Sequence, residues 1–228
     1  MSSHLYEVAL FGDFFAKDLK PILNRIALHS ESSNAMHTRE VVFEPLDAQQ
    51  QRDKGQDPIM LRARKELLDE KPTWVLYSYL KPESVKTYPE ATVRPWATVS
   101  VVGDALDFAS ALGYVQRNEI YKRGYVFRKG QLVIQMFQQE HVRNSDASNR
   151  VPPLIRLFPW QVHPVTHQPI PAQVETLWEV EVKTATPVRS TLDTPLENAK
   201  TPLAQAVQAV LEVQLLMKGL LDLRRQDL

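Results

Sequence analysis

The chain has 228 residues with 27 Lys plus Arg against 27 Asp plus Glu, a formal charge of zero that excludes the basic footprint of general nucleic-acid or polybasic membrane binding. Hydrophobic residues at 43% and charged residues at 24% are ordinary for a globular chain. The lack of any cysteine excludes disulfide frameworks, thiolate metal sites and cysteine nucleophiles.

Leu5 to Phe11 (LYEVALF) is short and β-prone and is expected to be a strand. Asp13 then caps a predicted helix from about Phe14 to Leu28, with Phe15, Leu19, Ile22, Leu23 and Ile26 at helical spacing. Pro21 requires either a kink or a shorter helix that holds it in its first turn. The period changes to alternation over Arg39 to Leu46, followed by a polar loop, Asp47 to Asp57. Strands are predicted at Ile59 to Lys65, Thr73 to Leu80 and Thr92 to Val102. In the second of these, Val75, Tyr77 and Tyr79 share one face and Trp74 and Leu76 the other.

Asp104 caps a short helix, Ala105 to Leu112, which Gly113 terminates. A long hairpin follows, Tyr114 to Arg128 and Gln131 to Val142, turning at Lys129-Gly130. Residues 143–173, rich in Pro, are expected to form a long surface loop with at most one short strand near Leu154 to Phe158. Val174 to Thr184 is the last predicted strand, and a closing helix is expected from about Thr201 to Arg225. Short links between about eight strands favour antiparallel pairing. The expected fold is α+β, one domain over 1–228 built on a curved antiparallel β-barrel with flanking helices.

With 7 glycines the chain has no G-x-G-x-x-G and no G-x-x-x-x-G-K-[ST], and it has no G-x-S-x-G elbow. Met1 to Leu10 lack the pattern of a signal peptide, and no apolar run reaches the length of a membrane span. Such a chain is expected to be soluble and intracellular. His163 and His167 have the i, i+4 spacing of a metal pair, but Pro164 makes a helix there improbable and loop histidines are expected. Glu179 and Glu181, on one face of the last strand with Lys183, resemble the E-x-E-x-K signature of the triphosphate tunnel metalloenzymes, whose barrel carboxylates bind divalent metal. No other strand supplies a facing E-x-E pair, so the solvent face of an edge strand is the favoured reading.

On the first hairpin strand Tyr121, Tyr125 and Phe127 share a face, with Lys122 and Arg128 on the opposite, expectedly solvated one. Basic residues interleaved with aromatics also suit single-stranded nucleic acid, which the neutral charge argues against. In the closing helix, 14 of the 21 residues from Leu203 to Leu223 are Ala, Val, Leu or Met. They spread over more than half its circumference, so either its own sheet and the first helix or another chain must cover it.

Gly124 to Gly130 (GYVFRKG), with the strand Leu132 to Phe137 behind it, resembles the hairpin of the Mediator complex subunit 18 family. Ile59 to Arg64 (IMLRAR) and Asp107 to Tyr114 (DFASALGY) resemble two further blocks of that family in the same order. Together the similarity covers about a third of the chain, while the loops at 47–57 and 143–173 look expanded. The resemblance implies an antiparallel barrel with flanking helices and a nuclear, non-enzymatic subunit of the Mediator head module. Mediator is the coactivator that links transcription factors to RNA polymerase II. It further implies pairing with Mediator subunit 20, attachment through a helix of Mediator subunit 8, and no cofactor, metal, membrane or sequence-specific nucleic acid. Expected partner-binding residues are Tyr121, Arg123, Tyr125 and Phe127 on the hairpin and Leu211, Leu215, Leu216 and Leu220 on the closing helix. The alternative is a metal-dependent triphosphatase using Glu179 and Glu181.

Overall fold

Alternating side chains give a strand two chemically distinct faces, and here that alternation closes on itself. The computed structural model describes residues 5–142, 176–190 and 201–226. Eight strands form one ring: β1 (Leu5–Phe15), β5 (Thr92–Val101), β4 (Trp74–Tyr79), β3 (Leu61–Glu66), β2 (Ser32–Pro45), β6 (Tyr114–Lys129), β7 (Leu132–Val142) and β8 (Leu177–Thr184). Every pairing is antiparallel, and β8 meets β1 through Ala9↔Lys183 to Phe15↔Leu177, which closes the barrel. A two-residue strand, β9 (Val188–Arg189), adds pairs with Leu5 and Tyr6. Full closure leaves none of the eight strands with an unpaired edge.

The apolar faces of these strands point outward, where helices cover them. Helices α1 (Leu19–Leu28) and α4 (Pro202–Met217) lie over a cluster that includes Val8, Leu10, Phe14, Phe127, Ile134, Met136, Trp178, Val180 and Val182. Helix α4 contributes Leu203, Ala206, Val210, Val213 and Met217, spaced three and four residues apart on one face. Each fully buried side chain of this size stabilises the fold by about 1.5–3 kcal/mol. A smaller cluster, Val41, Phe43, Ala63, Trp74 and Leu76, lies under α3 (Ala105–Ala111). Asp104 caps that helix by accepting from the Leu106 amide at 2.8 Å.

Several elements differ from expectation. Phe14 continues β1 opposite Trp178 instead of opening a helix. A 3-10 turn at Ala16–Asp18 precedes α1, which holds Pro21 in its first turn, where no helical amide bond is lost. The polar stretch after β2 forms a short helix, α2 (Ala48–Asp53). Strand β2 begins at Ser32, well before the visible alternation, because β6 is long enough to pair with it from Arg128 onward. Ser32 to Ala35 are exposed, so that part of the strand carries no apolar signal. Helix α4 stops at Met217, and Gly219 takes a φ of 84° that turns the chain back across the barrel wall. There Phe11 and Arg224 exchange backbone hydrogen bonds of 2.9 and 2.8 Å. The expected loop at 143–173, its possible strand at Leu154 to Phe158, and His163 and His167 lie outside the described residues.

Candidate functional site

With apolar side chains outward, the strands must turn their other face into the lumen, and that face is charged. All eight contribute to one cavity: Phe11, Thr38, Glu40, Arg62, Arg64, Tyr77, Tyr79, Arg94, Lys122, Gln135, Glu181 and Lys183 line a space of about 80 Å³. A second compartment of about 200 Å³ shares Thr38, Arg64, Gln135 and Lys183 with the first and adds Glu7, Glu66, Trp96 and Arg128 among others.

The carboxylates are held by ion pairs. Arg94 grips Glu7 Oε1 with Nε at 3.0 Å and Nη2 at 2.7 Å, while Tyr79 donates to Glu7 Oε2 at 2.9 Å. Arg62 Nη1 lies 2.6 Å from Glu40 Oε1. Lys122 lies 3.0 Å from Glu181 Oε1 and 3.6 Å from Glu40 Oε2, and Lys183 lies 2.5 Å from Glu181 Oε2. Burial by itself would raise the Glu181 carboxyl, but Lys122 and then Lys183 hold it well below the usual carboxylate range. Glu40 is likewise held low against its burial, by Lys122 and Arg62. Burial would lower the Lys122 ammonium, yet Glu181 and Glu40 raise it above its ordinary value.

Two corrections to the expected site follow. Strand β8 is not an edge: β7 and β1 flank it, and Glu181 is buried in the lumen, not solvated. Glu179 is half-buried on the same strand. Lys122, expected on a solvated face, is also in the lumen, because the outward face of β6 is the aromatic one. Alternation in the sequence assigns residues to two faces without saying which is inside. Glu40, Arg62, Arg64 and Arg94 escaped sequence reasoning. Their signal was charge at every second position of otherwise apolar strands, as in the R-A-R of β3.

The expected partner-binding residues scatter. Phe127 is 1% exposed and belongs to the chain's own core, so its side chain is occupied there. Tyr125 is half-buried, stacked on Trp178 with ring centroids 6.2 Å apart. Tyr121 and Arg123 sit in a polar network on the outer wall. Tyr121 donates to Glu119 at 2.8 Å, Arg39 pairs with the same carboxylate, and Arg123 Nε donates to His37 Nε2 at 3.0 Å. Burial and that Glu119 bond push the Tyr121 phenol up to about 12. On α4, Leu211 is half-buried and Leu216 packs partly against the core, as does Leu220 just beyond the helix end. Leu215 is 71% exposed. It lies with Gln214, Lys218 and Leu220 on a groove of about 540 Å³.

The fold that results, a closed antiparallel barrel with helices on its outer wall, is similar to that of several solved structures. Over 98% of this chain it superposes on a whole chain in the Schizosaccharomyces pombe Mediator head module, with a TM-score of 0.64 at 16% identity. A Pyrococcus horikoshii protein matches with a TM-score of 0.54 at 12% identity, covering 96% of this chain and 94% of its own. The RNA triphosphatase domain of a mimivirus mRNA capping enzyme matches at 0.50 and 9% identity, over 95% and 90% respectively. At such identities these likenesses establish the fold alone. The sequence is more specific: the family model described as Med18 protein matches residues 82–228, and the chain belongs to that family. A Danio rerio relative, Mediator of RNA polymerase II transcription subunit 18, is 37% identical over 79 residues. That alignment spans 34% of this chain and 38% of the relative's length.

Proposed function

We propose that this chain is a non-enzymatic subunit of the Mediator head module, acting in the nucleus by binding other Mediator subunits in regulation of RNA polymerase II transcription. The observation that carries this reading is the Med18 family match over 82–228, which takes in the hairpin, β8 and α4. A scaffold needs a stiff frame and a few apolar anchors, not perturbed titrating groups exposed to substrate. The closed ring is the frame. Leu215 and its groove beside α4 are the best-exposed anchor among the expected residues. In the finer reading the partners are Mediator subunit 20 and a helix of Mediator subunit 8, the latter suited to a groove of this kind.

Affinity purification of the tagged chain from nuclear extract tests this directly. Near-stoichiometric recovery of other head-module subunits is expected, and recovery of the chain alone would overturn it. The alternative, a metal-dependent triphosphatase using Glu179 and Glu181, needs carboxylate oxygens available to a cation. Both oxygens of Glu181 are engaged by lysines, those of Glu40 by Arg62 and Lys122, and those of Glu7 by Arg94 and Tyr79. Metal-dependent phosphate release that disappears in Glu181→Gln would replace the scaffold reading with the enzymatic one.

A further inference from the structure

The lumen contains hydrogen-bond donors that the described residues do not satisfy. Six cationic side chains line the two compartments against four carboxylates, an excess of two positive charges. Pairing within the lumen consumes Arg62, Arg94, Lys122 and Lys183. Arg64 is left over. Arg64 lines both compartments, and among the described residues its guanidinium carbon lies 5.5 Å from the centre of the Tyr77 ring, with no carboxylate in a direct ion pair with it. The second compartment holds another orphan, the Trp96 indole N–H, buried and without an acceptor among the described residues. Glu66 lines the same compartment, its two oxygens accept from the His37 amide and the Thr38 hydroxyl, and it makes no direct ion pair with Arg64 among the described residues.

A buried donor without an acceptor is costly, and Arg64, partly buried, feels Glu40 and Glu181 only as carboxylates already paired to other cations. Water relieves the donor's cost, because it accepts hydrogen bonds, but carries no charge to offset the guanidinium's. An acceptor-rich, compact dianion does both. We propose that the barrel lumen binds a doubly charged tetrahedral oxyanion of the phosphate or sulfate type, held between Arg64 and the Trp96 N–H. Arg64 supplies the planar fork that suits such a group, and the lumen's excess of positive charge adds to its attraction. The anion completes the interior ion network and leaves the outer wall free for protein partners.

The test is a titration of the full chain with inorganic phosphate at constant ionic strength, read by calorimetry and by broadening of the phosphate 31P resonance. Sulfate and chloride serve as comparison anions. Saturable binding of phosphate is expected, with a melting temperature that rises with phosphate concentration as the native state is selected. Chloride should fail to compete. Sulfate competition identifies a site for tetrahedral dianions generally, and its failure identifies phosphate itself. Arg64→Gln should weaken phosphate binding about tenfold or more, the scale of one charge-assisted contact, while Lys17→Gln on the outside leaves it unchanged. Absence of saturable binding to the wild-type chain overturns the proposal whatever the variants do. So does full affinity in a folded Arg64→Gln.

Discussion

Glu181 shows how much one side chain decides. It accepts from two lysines at once, so replacing it with glutamine leaves Lys183 unpaired and Lys122 with only the longer Glu40 contact in a lumen already carrying excess positive charge. Breaking a buried pair from one side costs about 3–5 kcal/mol, and urea denaturation of Glu181→Gln should show a loss of that order. Replacing Glu181 and both lysines by methionine should recover most of it, which separates an unpaired charge from lost packing. Gly124 is a second decisive position. A Cβ there would lie 1.9 Å from the Met136 carbonyl oxygen, a backbone atom that cannot yield without disturbing the β6–β7 ladder. Gly124→Ala should destabilise the fold by about 1–3 kcal/mol or more, visible as a lower denaturation midpoint. That glycine was legible in the sequence as part of GYVFRKG, but its reason, the close passage of a neighbouring strand, exists only once the hairpin is paired.

At the scale of elements, the hairpin and α3 formed where predicted because their signals are local. Lys129-Gly130 turns the chain with Gly130 at a φ of 55°, and Gly113 at 84° ends the helix that Asp104 caps. The C-terminal element was misjudged, since Leu220, Leu221 and Leu223 continue the apolar pattern of α4 past its true end. In the fold Leu221 and Leu223 instead anchor an extended tail, 6% and 1% exposed, and Gln214 donates to the Leu223 carbonyl at 2.6 Å. Leu223→Ala should cost about 2–5 kcal/mol of stability by leaving a cavity in the wall. Leu215→Ala should behave oppositely. Its side chain is in solvent, so stability should change by no more than about 0.5 kcal/mol, while capture of other Mediator head subunits by the chain should fall clearly. Undiminished capture would remove the α4 groove from the interface.

For the whole molecule, the closed ring makes stability depend on the charge state of its interior. Glu181 and Glu40 are held below the ordinary carboxylate range, so their stabilising effect is complete above the free value of about 4.3 and drains away as pH falls through their lower folded values. Lys122 is raised, so its contribution is complete below about 10.4 and fades as pH climbs through the higher folded value. Thermal unfolding should therefore show a broad plateau between those limits with an acid limb below about pH 4. In Glu181→Gln the acid limb should be shallower. An acid limb of unchanged steepness would mean that other carboxylates govern it.

What the sequence by itself determined was the approximate set of eight strands, their antiparallel pairing, one helix, α3, almost to the residue, and family membership through three ordered blocks. These are properties of short windows: turn chemistry, capping residues and two-residue alternation. Only the tertiary structure decided which face of each strand is inside. Alternation is symmetric between in and out, and the choice falls to whichever face the helices can cover. Here α1, α3 and α4 take the apolar faces, and closure then turns Glu7, Glu40, Arg62, Arg64, Arg94, Lys122, Glu181 and Lys183 inward, from six strands separated by as many as 176 residues, to meet in one charged lumen.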